Sequence, residues 1–254
     1  MSGAGSIDLN ADLGEGGGHD EELIPLVTSV NIACGAHAGD LDTMHRTVAL
    51  ALRHGSAIGA HPGFADREHF GRREISIEPD QAKALIVGQV AALDAVASAL
   101  GARVGHVKLH GALYNMASRD RVLAAAVVDA LVEGMPRLGP ARTLVALAGS
   151  ELHALARSRG LRVLGEAFVD RSYRADGTLT PRSDPGALIG DEDAAVWQAL
   201  RLAAEGRVRA ADGTEVAVDA ETICLHGDGP HAVAFARRIR AAFAAAGIEV
   251  RCGA

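Results

Sequence analysis

Residues 7–16 read Ile7-Asp8-Leu9-Asn10-Ala11-Asp12-Leu13-Gly14-Glu15-Gly16. Ile7, Leu9 and Ala11 alternate with Asp8, Asn10 and Asp12, which is the period of a short strand, and a glycine-rich turn runs on through Gly18. Three acids and an amide are expensive to bury. A strand that ends this way is expected to deliver them to a cleft that solvent reaches, the competing reading being an acidic surface turn.

The pattern recurs outward from that stretch. A short helix over 21–28 precedes a second strand at 29–33, which ends in Cys34-Gly35-Ala36-His37-Ala38-Gly39-Asp40. Asp40 is placed to cap a helix with Leu41, Met44, Val48, Ala51 and Leu52 on one face and Gly55 beyond its end. A third strand at 57–60 runs into His61-Pro62-Gly63-Phe64, and Pro79 opens a helix that stops at Gly101. The fourth strand, 103–109, carries Lys108 and leads to His110, and Ser118 is expected to cap a helix through Glu133. Strands at 143–148 and 161–164 follow, with a helix capped at Ser150 between them. The segment 175–190 holds three Gly and two Pro without a sustained period, so it reads as a long functional loop. A helix over 191–205, a hairpin excursion at 208–218 turning at Asp212-Gly213, a seventh strand at 222–225, a last helix to about Ala246 and a short strand at 248–250 complete the chain.

Strand alternating with helix predicts an α/β protein with a parallel sheet, closed or doubly wound, in one domain over residues 1–254. Apolar residues make up 48% and aromatics 3%, so the core is built from Ala, Val, Leu and Ile, as suits strands buried on both faces. The net charge of −7 and the lack of a Lys/Arg cluster argue against nucleic acid or an anionic membrane as partner. The start of the chain lacks the pattern of a signal peptide, and no uninterrupted apolar run reaches 18 residues, so a cytoplasmic location is expected. Cys34, Cys224 and Cys252 are widely spaced and read as reduced thiols.

The candidate chemistry collects at one kind of position. Asp12, His37, His61, His110, Glu166, Asp170 and His226 each fall just after an apolar strand, the edge where β/α barrels build active sites. Lys108 stands out because, of 25 basic residues, only Lys83 and Lys108 are lysines, which suggests a tunable ammonium or a phosphate contact. Asp12, His61 and His110 offer mixed oxygen and nitrogen ligands for a divalent metal with open positions for water. A P-loop, a dinucleotide fingerprint and a G-x-S-x-G elbow are all missing, although amides near Gly14 to Gly18 can cradle phosphate.

The blocks DLNADLGEG at 8–16, NIACGAHAGD at 31–40, AIGAHPGF at 57–64, FGRR at 70–73, KLHGALYN at 108–115, GEAFVDRSY at 165–173 and LHGD at 225–228 resemble the LamB/YcsF family, the A subunit of bacterial ATP-dependent 5-oxoprolinase. The resemblance implies a seven-stranded β/α barrel of the glycoside hydrolase/deacetylase type. It further implies cleavage of 5-oxo-L-proline to L-glutamate with hydrolysis of ATP, supplied with Mg2+, together with separate B and C subunits. Within the blocks, Asp12, His61, Lys108, His110, Glu166 and Asp170 are the candidate catalytic residues. Asn10, Glu15, His37, Arg72, Arg73, Tyr114, Asn115, Arg171, His226 and Asp228 are candidates for binding substrate or phosphate. Ala36, Leu109 and Gly229 stand where the family usually has Phe, Pro and Asn; they leave every candidate acid, base and ligand in place.

The chemistry agrees with such an activity. A five-membered lactam is an unstrained amide, and phosphorylating its oxygen makes the carbonyl electrophilic enough for a positioned water. Two rival readings stand beside it: a metal-dependent deacetylase of a small carbohydrate amide, and a regulatory subunit inactive alone.

Overall fold

The structure, a computed structural model, describes residues 5–134, 142–226 and 232–253. The alternating stretch forms β1 (Ser6–Leu13); a one-turn α1 (Asp20–Leu23) and a 3-10 turn at Ile24–Leu26 lead to β2 (Ser29–Ala33). Then come α2 (Leu41–His54), β3 (Ala57–His61), α3 (Pro79–Ala99), β4 (His106–Lys108), α4 (Gly111–Arg119), α5 (Arg121–Asp129), β5 (Thr143–Leu147), α6 (Glu151–Ser158) and β6 (Val163–Phe168). Beyond the long segment lie α7 (Glu192–Glu205), the antiparallel pair β7 (Arg207–Arg209) and β8 (Glu215–Ala217), then β9 (Thr222–His226), α8 (Ala232–Ala245) and β10 (Glu249–Val250).

Seven strands pair in parallel in the order β1-β2-β3-β4-β5-β6-β9, and β9 pairs back onto β1 with Asp8 opposite Thr222 and Asp12 opposite His226. The sheet is therefore a closed barrel, the fold that the family resemblance implied, and of the closed and doubly wound forms that the strand–helix alternation allowed it is the closed one. β10 extends the ladder at the start of β1, with Ser6 opposite Glu249.

Several local signals hold. Asp40 accepts from the Thr43 amide at the start of α2 and Gly55 closes its end with φ 69°, while Ser150 accepts from the His153 amide. One cap differs: Ser118 lies inside α4 with its hydroxyl on the Tyr114 carbonyl, and Asp120 caps α5 through the amides of Val122 and Leu123. An aspartate directly before the helix outcompetes a serine two residues earlier because its carboxylate also meets the helix dipole.

The barrel has two interiors. On β1 the apolar set Ile7, Leu9, Ala11 and Leu13 is buried in the layer shared with the helices, which also holds Val48, Ile86, Val90 and Leu93. Each of these Ile, Leu and Val side chains contributes about 1.5–3 kcal/mol relative to exposure. The polar set of the same strand fills the barrel instead. The Asp8 carboxylate accepts from Thr28, Ser29 and Thr222, and Asn10 donates to Glu166 and Thr222 and accepts from Asn31. This corrects the expectation of a solvent-reached set: Asp8 and Asn10 are buried, and only Asp12 among them reaches a cleft. Gly59 makes room for the network, since a Cβ there would lie 2.0 Å from His106 Nε2, which bonds Asn31 Oδ1 at 2.9 Å.

Candidate active site

The cleft at the strand ends is lined by Asp12, His61, Lys108, His110, Asn115 and His226, with Arg72, Tyr114, Arg171, Phe168, Leu179 and Arg182 around them. At its floor the Lys108 ammonium, 2% exposed, lies 2.8 Å from Asp12 Oδ1 and 2.8 Å from Glu166 Oε1. It also lies 2.9 Å from Cys224 Sγ and 3.4 Å from Asn10 Oδ1. An ammonium has three N–H groups, so internal partners occupy this one fully. Lys108 is thereby a clamp on two carboxylates and not the phosphate contact that its scarcity suggested. Glu166 is completed by Asn10 at 3.1 Å and by the Tyr114 hydroxyl at 2.7 Å.

Burial alone would raise the Asp12 pKa, but the charges of His61 and Lys108 outweigh it and hold the carboxyl well below its usual range. Burial likewise works against the Lys108 cation, and Asp12 foremost reverses it, so the ammonium stays charged. Asn31 fixes the carboxylate further, donating to Asp12 Oδ1 at 2.9 Å. The other oxygen, Oδ2, faces His61 Nε2 at 3.4 Å and Cys224 Sγ at 4.0 Å.

His61 and His110 have their tautomers set by carbonyls. His61 Nδ1–H donates to Lys108 O at 2.8 Å and His110 Nε2–H to Phe70 O at 2.8 Å. Their other nitrogens therefore turn lone pairs inward, 3.0 Å apart. Glu15 Oε1 joins them at 3.1 Å from His110 Nδ1, 3.7 Å from His61 Nε2 and 3.0 Å from His37 Nε2. Acceptor atoms crowded this way need a shared proton or a cation. Burial holds His37 down to about 4 despite Glu15, and it lowers His110. His61 is raised, because Asp12 and Glu15 overcome its burial.

The donor atoms of Glu15, His37, His61 and His110 all lie within 4.8 Å of one another. Mixed imidazole and carboxylate donors, with His37 Nδ1 buried and lacking a hydrogen-bond partner, fit a divalent transition metal. This set differs from the one expected from sequence, Asp12 with His61 and His110: Asp12 commits one oxygen to Lys108 and Asn31, and Glu15 and His37 take its place. The loop around the cluster is tightly built. Phe70 adopts φ 54°, unusual for a side-chain-bearing residue, and its ring packs edge-on to His37 and His110. A Cβ at Gly63 would meet His37 and His110 at 3.0 Å. Gln89 of α3 bonds both the amide and the carbonyl of Gly63.

On the far side, Asp170 Oδ2 accepts from His226 Nδ1 at 2.7 Å, and the His226 ring stacks on Phe168. Two expected binding residues fall elsewhere. Arg73 pairs with Asp66 through Nε at 3.3 Å and does not line the cleft, because only Arg72 of the pair turns back over the Phe70 ring. Asn10 is a buried bridge within the barrel. Asp228 lies outside the described residues. Reading the sequence missed Phe168, Leu179, Arg182 and Cys224; the first sits inside a quoted block, and Leu179 and Arg182 sit on the long segment already singled out.

A sequence profile of the LamB/YcsF family matches residues 7–253. Among solved structures, a lactam utilization protein from Thermus thermophilus is 47% identical with a TM-score of 0.88, covering 97% of this chain and 99% of that one. A family 4 carbohydrate esterase from Streptomyces lividans, in complex with acetate, gives a TM-score of 0.53 at 12% identity, over 97% of this chain and 91% of that one. The second likeness is one of fold alone.

Proposed function

The chain belongs to the LamB/YcsF family, and from that membership and the cleft we propose that it opens the ring of 5-oxo-L-proline to L-glutamate as the A subunit of an ATP-hydrolysing 5-oxoprolinase. The lactam utilization relative supports a cyclic amide as substrate. The observation that carries the reading is the Asp12 carboxylate: clamped by Lys108 on one oxygen, it presents the other beside His61 in the cleft. A carboxylate kept ionised and oriented by a buried cation is suited to align the attacking water and accept its proton, while His61 passes a proton to the departing ring nitrogen.

Activation of the amide is assigned to ATP with Mg2+, which transfers its terminal phosphoryl group to the carbonyl oxygen. Water adds to the activated carbonyl carbon, and collapse of that adduct breaks the ring C–N bond, the nitrogen leaving as the protonated amine and the carbon remaining as a γ-glutamyl phosphate. A second water attacks the same carbon and releases the phosphate with the former ring oxygen, giving glutamate, ADP and inorganic phosphate. The described residues show no nucleotide-binding motif, so the B and C subunits are assigned the completion of the nucleotide site. Requiring assembly before chemistry also limits uncoupled ATP hydrolysis.

A second reading rests on the Glu15, His37, His61 and His110 cluster, which favours a divalent metal and hydrolysis without a nucleotide. When bound there, such an ion supplies a Lewis acid for the carbonyl and a more acidic water. The two readings separate on 5-oxo-L-proline labelled with 18O at the ring carbonyl. Assayed with ATP and partner subunits, the first reading expects the label in inorganic phosphate; label kept wholly in glutamate, with product formed without ATP, refutes it and supports the second.

A further inference from the structure

Gln198 of α7 is a polar side chain only 3% exposed, and its amide meets the turn at the end of β6. Its Nε2 lies 2.8 Å from Phe168 O, 2.9 Å from Arg171 O and 3.4 Å from Val169 O. An amide has two N–H groups, so the two short contacts take one each. The Asp170 carbonyl between them accepts from the Ile189 amide at 2.9 Å. Four successive carbonyls, 168–171, are thus met by donors from outside the barrel strands, as buried acceptors require.

The same turn puts Phe168 in the cleft wall and Asp170 behind His226. Asp170 Oδ2 accepts twice from His226, from ring Nδ1 at 2.7 Å and from the amide at 3.2 Å. The His226 ring also stacks on Phe168, 5.5 Å between centroids and 16° between planes. With Nδ1–H committed to Asp170, Nε2 is the nitrogen that His226 has for the cleft, and its strand position lies opposite Asp12. Asp170 Oδ1 is buried and makes no hydrogen bond among the described residues, so the aim of the carboxylate depends on the backbone that carries it. We propose that Gln198 is a positioning residue of the cleft: from α7 it fixes the turn 168–171 and so aims the Asp170–His226 pair, whose Nε2 is offered to substrate or its attacking water. Gln198 itself does not line the cleft, so it acts through that turn.

The inference rests on the lactam reading only for its effect on turnover. The test compares wild type with Gln198→Met, which keeps the volume and removes both donors, and with Gln198→Asn, which keeps the amide on a shorter stem. Arg201→Gln is the control, since Arg201 is on the same helix but bonds Glu205 and Glu215. The first readout is the low-field proton spectrum, in which the hydrogen-bonded Nδ1–H of His226 is identified by its absence in His226→Gln. That signal is expected in wild type and Arg201→Gln, and is expected to broaden or vanish by exchange with water in both Gln198 variants. The second readout is glutamate release with ATP and both partner subunits. A misaimed group should lower kcat by about 10-fold to 100-fold in Gln198→Met while KM changes far less. A Gln198→Met protein that keeps the signal overturns the proposal, even if its thermal midpoint falls, because Gln198 is then structural only. A lost signal with wild-type kcat overturns it too, as does failure of both Gln198 variants to fold. Because the proton signal needs no substrate, a wild type that opens no lactam refutes the lactam reading alone, and the signal still decides whether Gln198 aims the pair.

Discussion

Replacing Lys108 by Met removes a cation with two carboxylates at 2.8 Å and almost no solvent, while keeping a side chain of similar length. Breaking a buried ion pair by deleting one partner typically costs about 3–5 kcal/mol, because the remaining charge is stranded. For a domain of this size each kcal/mol moves the thermal midpoint by about 2–4 °C, so a fall of roughly 6–20 °C is expected. Part of that loss should return in Lys108→Met combined with Glu166→Gln, which removes one stranded charge and keeps the acceptor for the Tyr114 hydroxyl. Turnover should not return, since Asp12 still lacks its clamp. Thermal unfolding followed by circular dichroism, alongside glutamate release with partner subunits, gives both readouts. A midpoint within about 2 °C of wild type for the single variant would refute the clamp, since the expected cost is several times larger.

Two further outcomes follow from the same interior. His106 is held down to about 3 by burial, with Lys108 and His61 adding repulsion, so it is neutral in the fold and takes up a proton on unfolding below about 6.5. Its contribution is intact above that pH and is lost as pH falls toward 3, at up to about 1.36 kcal/mol per pH unit. Denaturant midpoints for His106→Gln between pH 7 and 4.5 should therefore slope less than those of wild type, and parallel slopes would contradict this. If the Glu15 cluster holds a metal, the protein dialysed against a zinc buffer should retain about one equivalent, and Glu15→Gln and His110→Ala should each lose most of it; equal retention in the variants places the ion elsewhere.

Much of the barrel was legible because strand and helix periods alternate cleanly, and because caps such as Asp40 and Ser150 act within one turn of sequence. The positions after strands were legible for the same reason, and Asp12, His61 and His110 do meet, with His61 Nε2 at 3.4 Å from Asp12 and 3.0 Å from His110. What could not be read was which side of β1 faces which interior. A period of two fixes that Asp8, Asn10 and Asp12 share a face, but not that this face fills a closed barrel with partners on β2, β4, β6 and β9. For that reason the same residues looked suited to a cleft that solvent reaches. The Glu15 and His37 contacts depend on where three loops cross, and Arg182 on a segment without a period, so neither had a local signal.

The central claim is that the clamped Asp12 carboxylate performs the ring opening, and the most direct measurement is coupled glutamate and phosphate release by Asp12→Asn in the presence of ATP and both partner subunits. Asparagine keeps the shape but cannot accept the water proton, and loss of one general base typically removes about 100-fold to 10,000-fold of the rate. A protein that folds, binds 5-oxo-L-proline and falls by that factor is the expected result; one that releases glutamate at the wild-type rate contradicts the account.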